Sequence, residues 1–152
     1  MAGVVGLVSA EIFGYTNPQT LEYAENLGIA FQLTNIIRDV GEDARRDRIY
    51  IPIDEMARFN VTATDIMHAR HSDVFTQLMA FQTDRALEYY RRAMDCLPQE
   101  DRRAQRPGLV MAAIYRTLLD EIRADGMQVL NQRTSLTPLR KLWIAWRTWI
   151  KG

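Results

Sequence analysis

No proline falls between Pro18 and Pro52, and the middle of that span is apolar on nearly every side. Leu27, Ile29, Ala30, Phe31, Leu33, Ile36, Ile37 and Val40 leave no broad polar face for water. The pattern predicts an unusually long helix, opened at Asn17-Pro18 and reaching about Arg45, buried among other elements. Strand signals are nearly absent elsewhere: no alternating Val/Ile/Thr run is bounded by hairpin turns.

Helix punctuation divides the rest of the chain. A first helix over Ala2–Phe13 stops at Gly14, and its uncapped apolar start resembles the interior of a buried helix. That stretch is too short before Glu11 to span a membrane and has no signal-peptide layout. Arg48-Ile49-Tyr50-Ile51-Pro52 reads as an extended connector, followed by a short helix at Ile53–Arg58. Thr62-Ala63-Thr64-Asp65 has the spacing of a capping box, and Ser72 or Asp73 caps a helix running to Leu97 before Pro98. Arg106-Pro107-Gly108 opens a helix over Leu109–Ala124 with Gly126 as its stop, and Thr137-Pro138 opens the last, Leu139–Ile150. No linker or repeat interrupts this series, so residues 1–152 read as one all-α unit.

Chemistry concentrates on the long helix. Gln32, Asn35, Asp39 and Asp43 fall within an arc of roughly 80° at about 100° per residue. Glu25 and Gly28 lie on or near that face, where the glycine leaves room for something to approach. Two carboxylates a turn apart on a buried helix repel each other and need cations. Mg2+ suits carboxylate oxygen and commonly bridges to a substrate phosphate, while arginines at 38, 45, 46 and 48 suit carboxylate or phosphate. The Asp-x-x-x-Asp spacing alone is cheap, since Asp43 and Asp47 also satisfy it, and i,i+4 pairing with arginine on a solvated face is the commoner reason for it.

The surrounding string is more specific. Gln32-Leu33-Thr34-Asn35-Ile36-Ile37-Arg38-Asp39-Val40-Gly41-Glu42-Asp43-Ala44-Arg45-Arg46, then Arg48-Ile49-Tyr50-Ile51-Pro52, resembles the second aspartate-rich motif of squalene/phytoene synthases. Ala2-Gly3-Val4-Val5-Gly6 is similar to the Val-Ala-Gly-x-Val-Gly segment of that family, with Met1 where valine is usual. The Tyr115 to Lys141 region, including Arg133, is similar to its C-terminal part. The resemblance implies an isoprenoid-synthase helical bundle, present here in part, whose members condense two allylic diphosphates head to head through a cyclopropylcarbinyl diphosphate with magnesium. It implies Asp39 and Asp43 as Mg2+ ligands, Gln32 and Asn35 on the same wall, and Arg48 on phosphate. Arg38 and Glu42 belong to the string but face away from the stripe and are expected to act behind it.

Departures from the family pattern shape the expectation. The family's opposing aspartate-rich motif does not occur before residue 32, and its catalytic tyrosine comes just before the Val-Ala-Gly segment, so the chain is expected to begin inside the catalytic domain and to have little or no activity alone. Asp47 stands where glycine is common. Within the family, Ser9-Ala10-Glu11-Ile12-Phe13-Gly14 looks most like the hopanoid branch, which points to farnesyl diphosphate and presqualene diphosphate or squalene. Phytoene synthesis from two geranylgeranyl diphosphates is the alternative, and a non-catalytic helical protein binding a prenyl lipid or assembly partner is a reading of another class.

The remaining features bear on partners. Lys plus Arg and Asp plus Glu each number 19, which gives no electrostatic case for nucleic acid. Cys96 is the single cysteine, expected as a buried thiol in a reducing, cytoplasmic setting. Asp65, His68, His71 and Asp73 match no zinc spacing and read as surface capping. Arg102-Arg103-Ala104-Gln105-Arg106 reads as a solvated loop. Trp143, Trp146 and Trp149 with Arg140, Lys141, Arg147 and Lys151 make a terminal amphipathic helix. Packing on the domain's own core is the preferred explanation of its rings, and peripheral contact at the inner face of a membrane is the alternative.

Overall fold

The structure, a computed structural model, describes residues 2–151, with side chains from Val4 onward. Met1, and with it the comparison drawn at that position, lies outside the described residues. Helices α1 (Ala2–Phe13), α2 (Gln19–Arg38), α3 (Val40–Ala44), α4 (Ile53–Arg58), α5 (Ala63–Met67), α6 (Asp73–Cys96), α7 (Arg106–Ala124) and α8 (Pro138–Lys151) follow in order, with a single 3-10 turn at Gln99–Asp101. The all-α expectation holds, and no strand occurs among the described residues.

The apolar surround of α2 is explained by its neighbours: α1, α6 and α7 all pack against it. Tyr23, Leu27, Ala30 and Ile37 of α2 belong to one buried core with Leu78, Met79, Ala86 and Tyr90 of α6 and with Leu109, Ala112 and Leu119 of α7. Inside it the Thr34 hydroxyl meets the Tyr90 hydroxyl at 2.8 Å and donates to the Ala30 carbonyl, so two buried polar groups satisfy each other. On the other side α1 comes close through Gly6. A Cβ there would run into the Ala24 carbonyl and sit 3.5 Å from the Gly28 Cα.

Several expectations are corrected. The long helix breaks at Asp39, as described below. The first helix is not an interior one in this structure: Ala10 is buried, but Val4, Val5, Val8 and Ile12 are exposed, because α2 covers only one of its faces. In α8 none of the residues is buried, and Trp143, Trp146 and Trp149 are each at least half exposed, so the tryptophans do not cover the core. Cys96 is only partly buried, with its thiol pushed up by desolvation and by Glu22. Caps read from the sequence are in place. Thr62 and Asp65 make a reciprocal capping box, and the Ser72 hydroxyl accepts from the Phe75 N–H.

A connector expected to be solvated turns out to clamp the bundle. Gln105 is buried, and its amide donates to the Gly14 carbonyl at 2.8 Å, at the end of α1. Asp101, 1% exposed, lies at the start of α2. Its carboxylate accepts from the Thr16 N–H and hydroxyl (2.7 Å each), the Asn17 N–H (2.8 Å) and the Thr20 hydroxyl (2.7 Å). Burial pushes this carboxyl up, but the hydrogen bonds outweigh burial and hold it far below the usual carboxylate range. A carboxyl depressed in the fold adds stability that is complete above its unfolded value, about pH 4, and is lost as pH falls toward the folded value. Asp101→Asn is therefore expected to unfold at lower urea than the parent at pH 7, with the difference shrinking steadily below about pH 4. An equal difference at pH 7 and pH 3 would contradict it.

Candidate functional site

At Asp39 the backbone leaves helical geometry (φ −101°, ψ 9°), although the hydrogen bonding carries through. The Asp39 N–H donates to the Asn35 carbonyl at 3.0 Å, and the Asp43 N–H to the Asp39 carbonyl at 2.8 Å. Past the break, α3 lies against the segment after α7. At Gly41 a Cβ would meet the Val129 and Leu130 carbonyl oxygens at 2.5 and 2.6 Å, so only glycine permits this approach. The Arg45 guanidinium donates to the same Leu130 carbonyl at 3.4 Å.

The end of α3 brings Arg48 back toward the carboxylates. The Arg48 N–H donates to the Asp43 carbonyl and the Asp47 N–H to the Ala44 carbonyl, which is a Schellman closure with Asp47 in the left-handed region (φ 59°). This conformation explains why glycine is common at that position, since a side chain there crowds the following carbonyl.

The two aspartates have different surroundings. Arg38 grips Asp39 with two hydrogen bonds, Nε to Oδ1 at 2.7 Å and Nη2 to Oδ2 at 2.9 Å. Arg133, from the segment after α7, adds Nε to Oδ1 at 3.1 Å and lies 3.6 Å from Glu42. These bonds, Arg38 first, hold the Asp39 carboxyl below its ordinary value. Asp43 goes the other way. Burial, then the negative charges of Asp39 and Glu42, push it up against the opposing pull of Arg46 and Arg48. Asp43 and Arg48 line one small pocket together with Ile36, Val40, Tyr50 and Ile51.

Gln32 and Asn35 belong elsewhere on α2. They line a cavity of about 400 Å³ between α1, α2 and α7, with Phe13, Leu27, Gly28, Phe31 and Met111 among its mostly apolar walls. The Asn35 Oδ1 is buried without a hydrogen-bond partner. A second cavity, of about 340 Å³, is lined by Arg38, Arg133, Lys141, Tyr115, Thr134 and Ser135 and by apolar side chains including Met111 and Ile114. Met111 lines both. Arg38, expected to act behind the stripe, holds Asp39 and also lines this cationic cavity, with Tyr115 beside it. Tyr115, Arg133 and Lys141 were marked in sequence only as part of a C-terminal resemblance, and no spacing joins them to residue 39.

A divalent cation fits this donor set in chemistry. Asp39 uses three of its roughly four lone-pair positions, leaving one on Oδ2, and Asp43 is a carboxylate short of positive charge. Hard oxygen donors of this kind, two carboxylates completed by substrate phosphate, are what Mg2+ takes. No group of three or more His, Cys, Asp or Glu side chains that could hold a metal without a substrate occurs among the described residues.

A paired carboxylate turn, a cationic cavity and an apolar cavity thus occur together in one helical bundle. The squalene/phytoene synthase family model matches residues 1–140, and the chain belongs to that family. It is 37% identical to the phytoene synthase of Arthrospira platensis, covering 93% of this chain and 50% of that protein. It is 39% identical to the phytoene synthase of Mycobacterium tuberculosis, covering 95% and 49%. Among solved structures it is similar to a dehydrosqualene synthase in complex with ligand (TM-score 0.70, 27% identity, 84% of this chain and 45% of that one). It is also similar to YisP of Bacillus subtilis (TM-score 0.77, 25% identity, 95% and 58%). The chain thus has the helical fold of isoprenoid synthases and spans about half the length of the curated relatives it matches.

Gly41 gives this arrangement a direct test. Gly41→Ala is expected to lose about 1–3 kcal/mol of stability in urea titration despite alanine's better helix propensity, because the obstructing atoms are backbone carbonyls. A stability equal to or above that of the parent would show that α3 does not need this contact.

Proposed function

We propose that this chain supplies one wall of a magnesium-dependent active site that condenses two prenyl diphosphates head to head. The observation that carries the reading is the pair of cavities sharing Met111, one lined by Arg38, Arg133 and Lys141 and the other apolar. An allylic diphosphate has both characters. Its diphosphate suits the guanidinium groups and the Tyr115 hydroxyl, and its chain suits the space beside Leu27, Gly28 and Phe31. Gln32 and Asn35 stand on that wall as polar points among apolar ones, and the orphaned Asn35 oxygen is available to orient a bound group. Arg48, beside Asp43, supplies a further cation for phosphate. Magnesium, when held by Asp39 and Asp43, supplies neutralisation of the charge that develops as diphosphate departs. Arg38 and Arg133 would add positive charge for the same diphosphate, and the apolar cavity would keep water from the prenyl chain.

The Ser9–Gly14 string favours farnesyl diphosphate and a presqualene diphosphate or squalene product, with a hopanoid role. The phytoene synthases of Arthrospira platensis and Synechococcus elongatus, at 37% and 38% identity, support a second reading in which two geranylgeranyl diphosphates give phytoene. We infer a cytoplasmic protein, with peripheral contact at the inner face of a membrane.

Two outcomes are expected. With Mg2+ and the thiolo analogue of farnesyl or geranylgeranyl diphosphate near a hundredfold excess over Kd, the thermal midpoint should rise by roughly 5–10 °C. The rise should vanish in Asp39→Ala or with chelator, and the better of the two analogues identifies the chain length. Protection that survives both treatments would refute the proposal. Incubated alone with farnesyl diphosphate and Mg2+, the chain should show little or no turnover, because only one aspartate-rich segment is present. Turnover near that of a full-length relative, measured by product extraction, would overturn this.

A further inference from the structure

We propose that α8 is an in-plane docking helix for an anionic lipid surface. The helix lies at the C-terminal edge of the family match, which ends at residue 140. At about 100° per residue, Leu139, Leu142, Trp143, Trp146, Trp149 and Ile150 fall within roughly 120° of one another. All six are exposed, from 50% at Trp149 to 81% at Leu139. The opposite side, with Ile144, Ala145 and Thr148, is the one turned to the bundle, and Arg140 fixes it there by pairing with Glu121 of α7 at 2.7 Å. The helix is therefore amphipathic in the reverse sense: its apolar face points away from the protein except at Trp149, whose ring has the Arg106 guanidinium of α7 over it at 5.3 Å.

Charge selects the occupant. The helix carries Arg140, Lys141, Arg147 and Lys151 and no acidic residue. Arg140, Arg147 and Lys151 share the flank adjoining the apolar face, where basic side chains reach lipid phosphates while indoles sit among the headgroups. A second copy would bring the same positive flank against itself. Its face, about 21 Å long and about 10 Å wide, also falls short of the roughly 800 Å² per partner of a stable interface. Spanning the bilayer is not an alternative, since no helix among the described residues is long and apolar enough. The docking is independent of the prenyl-diphosphate reading and needs neither magnesium nor substrate.

The chain's three tryptophans are all on α8, so its indole fluorescence reports this helix alone. Vesicles of phosphatidylcholine with phosphatidylglycerol should shift the emission of the full chain to the blue, and brominated acyl chains should quench it. Vesicles of phosphatidylcholine alone should do so far more weakly. Arg147→Gln with Lys151→Gln should reduce partitioning into the anionic vesicles roughly thirtyfold, and Trp146→Ser should reduce it as well. Unchanged emission of the parent chain with anionic vesicles would overturn the proposal. So would a blue shift that needs no lipid and tracks a doubling of mass in light scattering, which would assign the face to a second copy.

Discussion

Asp39, Glu42 and Asp43 crowd one turn of the chain, and the organisation around the site follows from how that charge is met. Arg38 answers from the same helix, and its pair with Asp39 is only about one-fifth exposed, so it is not screened as a surface pair is. Arg133 answers from a segment distant in sequence and thereby fastens residues 127–136 to the end of α2. Removing either arginine would leave part of a half-buried carboxylate without a partner, which costs more than the pair contributes. Asp43 is met less fully: burial and the charges of Asp39 and Glu42 push its carboxyl up against the pull of Arg46 and Arg48.

That electrostatic fastening works only because the backbone yields beside it. Gly41 lets α3 touch the Val129 and Leu130 carbonyls, and the break at Asp39 turns α3 toward them. The same movement separates the polar stripe. Gln32 and Asn35 stay on straight α2 and look into the apolar cavity, while Asp39 and Asp43 face arginines. Asp101 and Gln105 do the corresponding work at the other end of the bundle, joining the end of α1 to the start of α2 through one connector.

Much of this was legible in the sequence, and the missing parts share a cause. Helix ends carried by Pro18, Gly14, Gly126, Thr62 and Ser72 could be read because those residues have strong local preferences. Schellman closures at Asp47, Asn60 and Ala69 could not, because non-glycine residues occupy the left-handed position that normally announces them. The aspartates of the site stood out through their spacing. Arg38, Tyr115, Arg133 and Lys141 meet only in three dimensions, across separate helices and a loop, and no periodicity connects them. The orientation of α8 escaped for a different reason: an apolar stripe predicts burial, and pattern alone does not say whether protein or something else will cover it.

The closure after α3 has a consequence for how this region can vary. Arg46 and Arg48 both donate their N–H groups to the single carbonyl of Asp43, and Asp47 returns to Ala44 between them. The distance along the chain from the carboxylate to the Arg48 side chain is thereby metered by backbone, not by side-chain identity. Substitutions at 45, 46 or 47 leave the meter running. A one-residue insertion or deletion would not: it would rotate Arg48 away from Asp43, so the segment is tolerant in composition and rigid in length.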